Sequence, residues 1–192
     1  MLNIEGSFGE GGGSIVRLAV ALSAITNKPI KITNIRKGRD QPGLKEQHLQ
    51  AIRAVSELCD GKLKGDKIGS TEIEFTPGEI KAKKLNVNIG TAGSVGLLLQ
   101  CLLPVAFFSK NKVEIKIKGG GTFGTHSPNS LYLKNILLPT IEKMGFKADL
   151  EVEIINVPRP RRMVLISALE AYIRRDGFDT RLTPASAGEP SS

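Results

Sequence analysis

Leu2-Asn3-Ile4-Glu5-Gly6 and Leu85-Asn86-Val87-Asn88-Ile89-Gly90 read alike: each is a short strand that runs into a glycine. The likeness continues past the glycine. A Gly/Ser-rich turn leads into a strongly apolar helix over residues 14–25 in the first copy and 94–108 in the second. A basic turn and an alternating strand come next, over 29–34 and 112–118, then a glycine-containing loop over 37–43 and 119–126. A second, amphipathic helix spans 45–60 and 128–144, closed by Gly61 and Gly145 in the place of a C-terminal cap. The first copy finishes with strands near 62–68 and 71–75, and in the second a strand begins near Phe146. The offset is about 84 residues throughout, the signature of an internal repeat.

The unit reads β-α-β-α-β-β. The expected fold class is therefore α/β of the α+β type, built from repeated β-α-β-α-β-β units with two helices packed on one face of each four-stranded sheet. The first repeat is expected over residues 1–84 and the second, incomplete, over 85–155. Near residue 155 the composition changes: the first 155 residues hold 17 Lys and 4 Arg, whereas the last 37 hold no Lys and 6 Arg. Residues 156–162 read as a Pro/Arg linker, residues 163–174 as one short helix, and residues 180–192 as a disordered tail with little apolar surface to bury. The tail composition suggests a fragment, a shifted reading frame or vector sequence. Unless this tail supplies the closing strands, the second repeat lacks them, and an apolar face and a sheet edge stand open to a second copy.

With 40% hydrophobic and 24% charged residues, the 192-residue chain has the composition of a globular protein, not a disordered one. The longest apolar run, residues 95–108, falls short of the roughly 20 residues that span a bilayer, so no membrane segment is expected. There is no secretory signal pattern either. Cys59 and Cys101 each lie in an apolar helical pattern, which excludes a disulfide scaffold and a Cys-rich zinc site and favours a cytoplasmic location. Two histidines are too few for a His-based zinc site. A formal charge of +8 points to an anionic partner or, more plainly, to a lysine-rich solvated surface. Absent Trp and 5% aromatics argue against a row of stacked bases.

Candidate chemistry concentrates at the helix starts. The turn Gly6-Ser7-Phe8-Gly9-Glu10-Gly11-Gly12-Gly13-Ser14 lets backbone N–H groups approach an anion, or is a tight turn and no more. It lacks the Lys-Ser/Thr ending of a Walker loop and the spacing of a dinucleotide fingerprint. Glu10 would repel phosphate there unless a divalent cation bridges the two. Arg17, near the start of an otherwise apolar helix, opposes the macrodipole at a cost of about 0.3–1 kcal/mol, which a bound anion offsets; the alternative is a snorkelling side chain. Gln100 is the one strongly polar side chain between residues 95 and 108, and a buried amide needs a partner, protein or ligand. Thr91-Ala92-Gly93-Ser94 offers a second cradle at that helix start. Arg36, Lys37 and Arg39 put three cations on one short loop, fit for phosphate or for solvent. His48 reads as a hydrogen-bonded helix residue and not a catalyst, since spacing supplies no adjacent acid; His126 is ambiguous and the cysteines read as core.

Taken together, Gly9-Glu10-Gly11-Gly12-Gly13-Ser14-Ile15-Val16-Arg17, Arg36-Lys37-Gly38-Arg39 with Pro42-Gly43-Leu44, Gln47-His48-Leu49, Gly69-Ser70-Thr71 with Pro77-Gly78, and Gly90-Thr91-Ala92-Gly93-Ser94 with Gln100 resemble the RNA 3'-terminal phosphate cyclase family. The likeness runs to about residue 150 with motif order kept. It implies a fold of three β-α-β-α-β-β units with a small inserted domain, and ATP-dependent conversion of an RNA 3'-phosphate into a 2',3'-cyclic phosphate through adenylylated intermediates. ATP, Mg2+ (or Mn2+) and an RNA 3'-phosphate end are the implied cofactors and partners. Carried over by position, Glu10 holds the metal, and Arg17, Arg39, Gln47 and Gln100 line the nucleotide and phosphate site. The family's nucleophilic histidine lies after its third repeat; His48 and His126 do not occupy that place, so no catalytic residue is expected in this chain. Two other readings stand beside this one: a non-catalytic cyclase-like protein that binds RNA or a ribosome-assembly partner, and an enolpyruvyl-transferase-like enzyme of similar repeated architecture.

Overall fold

The computed structural model describes residues 1–81, 84–123, 127–156 and 165–175. β1 (Leu2–Glu5) and β2 (Ile30–Thr33) pair in parallel with Leu2 opposite Ile30 and Ile4 opposite Ile32, so α1 (Gly13–Thr26) is their crossover. α2 (Glu46–Leu58) leads to β3 (Lys62–Lys64) and β4 (Ile73–Thr76), and β4 runs antiparallel between β2 and β3. The sheet order is β1-β2-β4-β3. A second four-stranded sheet has β5 (Lys84–Ser94), β6 (Val113–Gly121), β7 (Phe146–Asn156) and β8 (Leu165–Arg175) in the order β5-β6-β8-β7. It too combines one parallel pair, β5 with β6, and two antiparallel ones. α3 (Val95–Phe107) makes the crossover between β5 and β6.

β8 corrects the helix expected over residues 163–174. Leu169, Ala171 and Ile173 stand in register with Ile117, Ile115 and Val113 of β6, and β7 pairs along the whole of the other side. A segment flanked by strands on both sides gains two hydrogen-bonded ladders, and that tertiary gain outweighs a weak helical preference. The Pro/Arg stretch before β8, the tail after it and His126 lie outside the described residues.

The second amphipathic helix also differs from expectation. It forms three consecutive pieces: α4 (Ser130–Tyr132), a π-helical stretch Leu133–Leu137 and α5 (Leu138–Glu142). Pro139, at the start of α5, brings no N–H and crowds the carbonyl four residues back, at Asn135; the wider π turn there relieves both. At the end of α2 the left-handed residue is Asp60 (φ 49°), not Gly61. Gly61 sits one position later and donates its N–H to the Ser56 carbonyl at 2.8 Å. Glycine is required there for packing, because a Cβ would come within 2.7 Å of the Phe75 ring.

One apolar cluster runs through both sheets and the helices α1, α2, α3 and α5. Val16, Val20 and Ala24 recur every fourth residue and turn one face of α1 inward. α3 is buried nearly all round, packed between α1, α2 and the second sheet. Ile30, Ile32, Phe75, Leu85, Val87, Ile115 and Ile117 close the core from the strands. Both cysteines are buried and free. Among the described residues, no helix is long and apolar enough to cross a membrane.

Candidate functional site

Because α1, α2 and α3 pack on one another, their N-terminal segments converge on a single cleft of about 480 Å3. Four of the five site residues expected from sequence line it: Arg17 from α1, Gln47 from α2, Gln100 from α3, and Arg39 from the loop after β2. Glu10, the fifth, stands on the rim with its side chain 94% exposed and lies 3.6 Å from the Arg39 guanidinium.

Arg17 is the pivot. The side chain is buried, and its Nε is the one buried side-chain polar atom among the described residues that lacks a hydrogen-bond partner. Burial pulls the Arg17 pKa below its ordinary value. Leaving a buried polar group unpaired costs about 1–3 kcal/mol, more for a charged one. An anion seated in the cleft would offset the cost of burying the charge. The helix is held from below by Cys101 of α3, whose thiol donates to the Arg17 carbonyl at 3.2 Å.

The three loop cations divide their work. Arg36 is buried in the left-handed region (φ 54°) and donates from Nη1 to the carbonyls of Gln41 and Gly43 at 2.7 and 2.8 Å, so it ties the loop into shape as well as facing the cleft. Desolvation, then Arg39, lowers its pKa. Arg39 faces the cleft, and Lys37 points to solvent. Lys45, read from sequence only as the start of a helix, is a fourth cation of the lining, and nothing but its place just ahead of Gln47-His48 marked it.

His48 is buried beneath this cluster. Its Nδ1 accepts from the Lys45 backbone N–H at 3.2 Å, which leaves the ring proton on Nε2, facing the Gln47 amide at 3.5 Å. Its pKa falls to about 4, first through desolvation and then through Arg17, Arg36 and Lys45. The ring lies against Gly13, where a Cβ would overlap it; this is why a glycine opens α1. His48 is therefore a neutral, hydrogen-bonded prop at neutral pH.

Gln100 corrects a further expectation. It is exposed, not buried, because it lies on the narrow side of α3 that opens on the cleft; its amide needs no protein partner and is free to meet a ligand. The Thr91–Ser94 cradle is largely used by the fold: Ser94 Oγ accepts from Leu97 N–H at 3.2 Å and caps α3.

Four cations face one rim carboxylate, so the cleft suits a multiply charged anion. A cleft of about 510 Å3 between α5 and β7 makes the contrast: Lys112 and Lys134 there meet Glu142, Asp149 and Glu151, and no single charge prevails. Among the described residues, no group of three or more His, Cys, Asp or Glu could hold a metal ion. Glu10 alone fits a divalent cation that takes its other oxygens from bound phosphates, the habit of magnesium, and not a cage built by the protein.

Residues 8–158 match the family model described as RNA 3'-terminal phosphate cyclase. RNA 3'-terminal phosphate cyclase of Methanococcoides burtonii is 50% identical over 152 residues, 79% of this chain and 46% of that protein. The protein of the same name from Pyrococcus abyssi is 50% identical over 152 residues, 79% of this chain and 44% of its own length. That from Methanosarcina mazei is 44% identical over 183 residues, 95% of this chain and 51% of the relative. The chain thus spans about half the length of the curated relatives it matches. Since the model covers well over half of the chain and takes in every residue of the cleft, the chain belongs to the RNA 3'-terminal phosphate cyclase family.

Proposed function

We propose that this chain forms the nucleotide- and phosphate-binding part of an ATP-dependent RNA 3'-phosphate cyclase, which converts a 3'-phosphate into a 2',3'-cyclic phosphate through adenylylated intermediates. The observation that carries this reading is Arg17, buried with its Nε unpartnered, in the lining of a cleft it shares with Arg36, Arg39 and Lys45. In phosphoryl-type transfer the protein's part is mostly to position the groups and neutralise their charge. Arg17 and Arg39 take the phosphate oxygens, with planar donor forks suited to them. Gln47 and Gln100 donate from their amides on either side. A magnesium or manganese ion held by Glu10 would supply further neutralisation of phosphate charge when bound.

This reading assigns no nucleophile among the described residues. His48 is buried, its Nδ1 accepts from the Lys45 N–H, and desolvation holds its pKa at about 4, so this reading gives it the part of a prop and not of the nucleophile. The adenylylated-histidine step that the family's chemistry implies belongs to another residue. RNA ends, ATP, a cytoplasmic location and pairing with a second copy belong to this reading as proposals.

The test is to incubate the chain with magnesium and ATP labelled on the α-phosphate, measuring binding by calorimetry and covalent label after denaturation. ATP binding without acid-labile label is expected. Acid-labile AMP on this chain would place a nucleophile within it. Absence of ATP binding would sink the nucleotide site and favour a non-catalytic cyclase-like RNA-binding protein.

A further inference from the structure

Phe8 is the most exposed large apolar side chain among the described residues, at 80%. Hydrogen bonds hold its setting on both sides. Ser7 on one side donates to the Glu5 carboxylate from both N–H and Oγ, at 3.1 and 2.6 Å, and Glu5 is itself gripped by the Asn34 amide at 3.0 Å. On the other side the Phe8 carbonyl accepts from Gly11 N–H at 3.0 Å, closing a tight turn. Gly9 and Gly11 both stand in the left-handed region, at φ 60° and 56°. A Cβ on Gly11 would press on the Ser7 backbone at 3.3 Å, so this turn keeps its shape only with glycine there. The next residues of the same turn are Glu10, which reaches Arg39, and Gly12 and Gly13, which line the cleft.

A hydrogen-bonded turn thus carries an uncovered aromatic ring four residues along the chain from Gly12, the first residue of a cleft lined by four cations. Scattered exposed apolar residues are common and need no explanation. This one differs in its place: three residues separate it from Gly12 of the cleft, and the same turn carries Glu10, which reaches Arg39. A ligand that carries phosphate and a flat aromatic base can use both features at once, its anion between the guanidiniums and its base on the ring. Every base offers a π face, so such a contact adds affinity without reading sequence. One platform also agrees with a chain poor in aromatic residues.

We propose that Phe8 is a stacking platform for a nucleobase whose phosphate lies in the Arg17 and Arg39 cleft. This rests on the reading of that cleft as a phosphate site. The base belongs either to ATP or to the 3'-terminal nucleotide of the RNA, and the ligands of the test tell them apart. Inorganic tripolyphosphate, ATP and a short RNA bearing a 3'-phosphate are titrated into the full chain and its Phe8→Ala and Phe8→Trp variants. Phe8→Ala is expected to weaken whichever ligand uses the ring by roughly 5- to 150-fold while leaving tripolyphosphate unchanged. Phe8→Trp is expected to restore that binding, and because the chain has no other Trp, its fluorescence reports the stacked base directly. Loss with ATP alone names adenine; loss with RNA alone names the terminal base. Equal loss for tripolyphosphate, or no loss for either base-bearing ligand, overturns the proposal. If tripolyphosphate itself fails to bind the unaltered chain, the phosphate site falls and the platform with it.

Discussion

Arg17→Met separates a guanidinium kept for a ligand from one kept for the fold. Methionine matches most of the arginine stem in length and apolar surface, so the packing of α1 against α3 is preserved. The Cys101 thiol bonds to the backbone carbonyl of Arg17, which the substitution leaves in place. What disappears is a charge that lies desolvated, with an unpartnered Nε, among Arg36, Arg39 and Lys45. Even a buried ion pair is often replaced by apolar side chains of similar volume at no loss or with a gain of about 1–4 kcal/mol, and a buried charge with no counter-charge has less to lose. For a chain of this size each kcal/mol moves Tm by roughly 2–4 °C, so the ligand-free variant is expected to melt at or above the temperature of the unaltered protein. Affinity moves the other way. A hydrogen bond to a charged group contributes about 1.5–3 kcal/mol, so tripolyphosphate and ATP should bind roughly 10- to 150-fold more weakly.

The assay is thermal unfolding by circular dichroism, with and without ligand, beside calorimetric titration. The expected pattern is a raised or unchanged Tm without ligand and a smaller upward shift on adding ligand, since ligand stabilises only in proportion to occupancy. A variant that melts well below the unaltered protein and still binds tripolyphosphate with unchanged affinity would refute the reasoning. Arg17 would then be part of the scaffold, its unpaired Nε notwithstanding.

The same geometry fixes other outcomes. Four clustered cations make tripolyphosphate affinity fall roughly tenfold or more between about 0.1 M and 1 M salt, as the Debye length shortens from about 10 to about 3 Å; a flat salt response in calorimetry would count against the cleft as an anion site. Gly13→Ala drives a methyl group into the His48 ring and should cost about 1–3 kcal/mol in denaturant unfolding, while the double variant with His48→Ala loses less than the two single variants together. His48 has a folded pKa of about 4 against an ordinary 6.5, so the unfolded chain binds the extra proton between these values. Stability from this group is present above about pH 6.5 and fades as pH falls toward 4, by at most about 3 kcal/mol; His48→Gln should flatten that part of the stability profile, and an unaltered slope would show that His48 is not its source.

How far the sequence could be read depended on whether the deciding physics was local. The strands into β1 and β5 and the helices after them carry period and caps on their own residues, and they form within a few positions of expectation. Arg17 was legible for the same reason: a charge in an apolar helix is an anomaly visible without coordinates. Arg36, Lys37 and Arg39 look equivalent in one dimension, and only the loop's three-dimensional closure turns Arg36 inward onto the Gln41 and Gly43 carbonyls and Lys37 out to solvent. Gln100 misleads in the opposite way, because an apolar run suggests burial on every side whereas α3 has one narrow strip over the cleft. β8 lies beyond any local reading. Its residues alternate too weakly to exclude a helix, and what makes them a strand is the pair of edges that β6 and β7 offer from both sides. The cleft itself is of this second kind: no stretch of sequence contains it, since it exists only where three separate helix starts are brought together. That is also why Lys45 joins it unannounced, and why the functional weight of any one of its cations has to be measured against the others and not read singly.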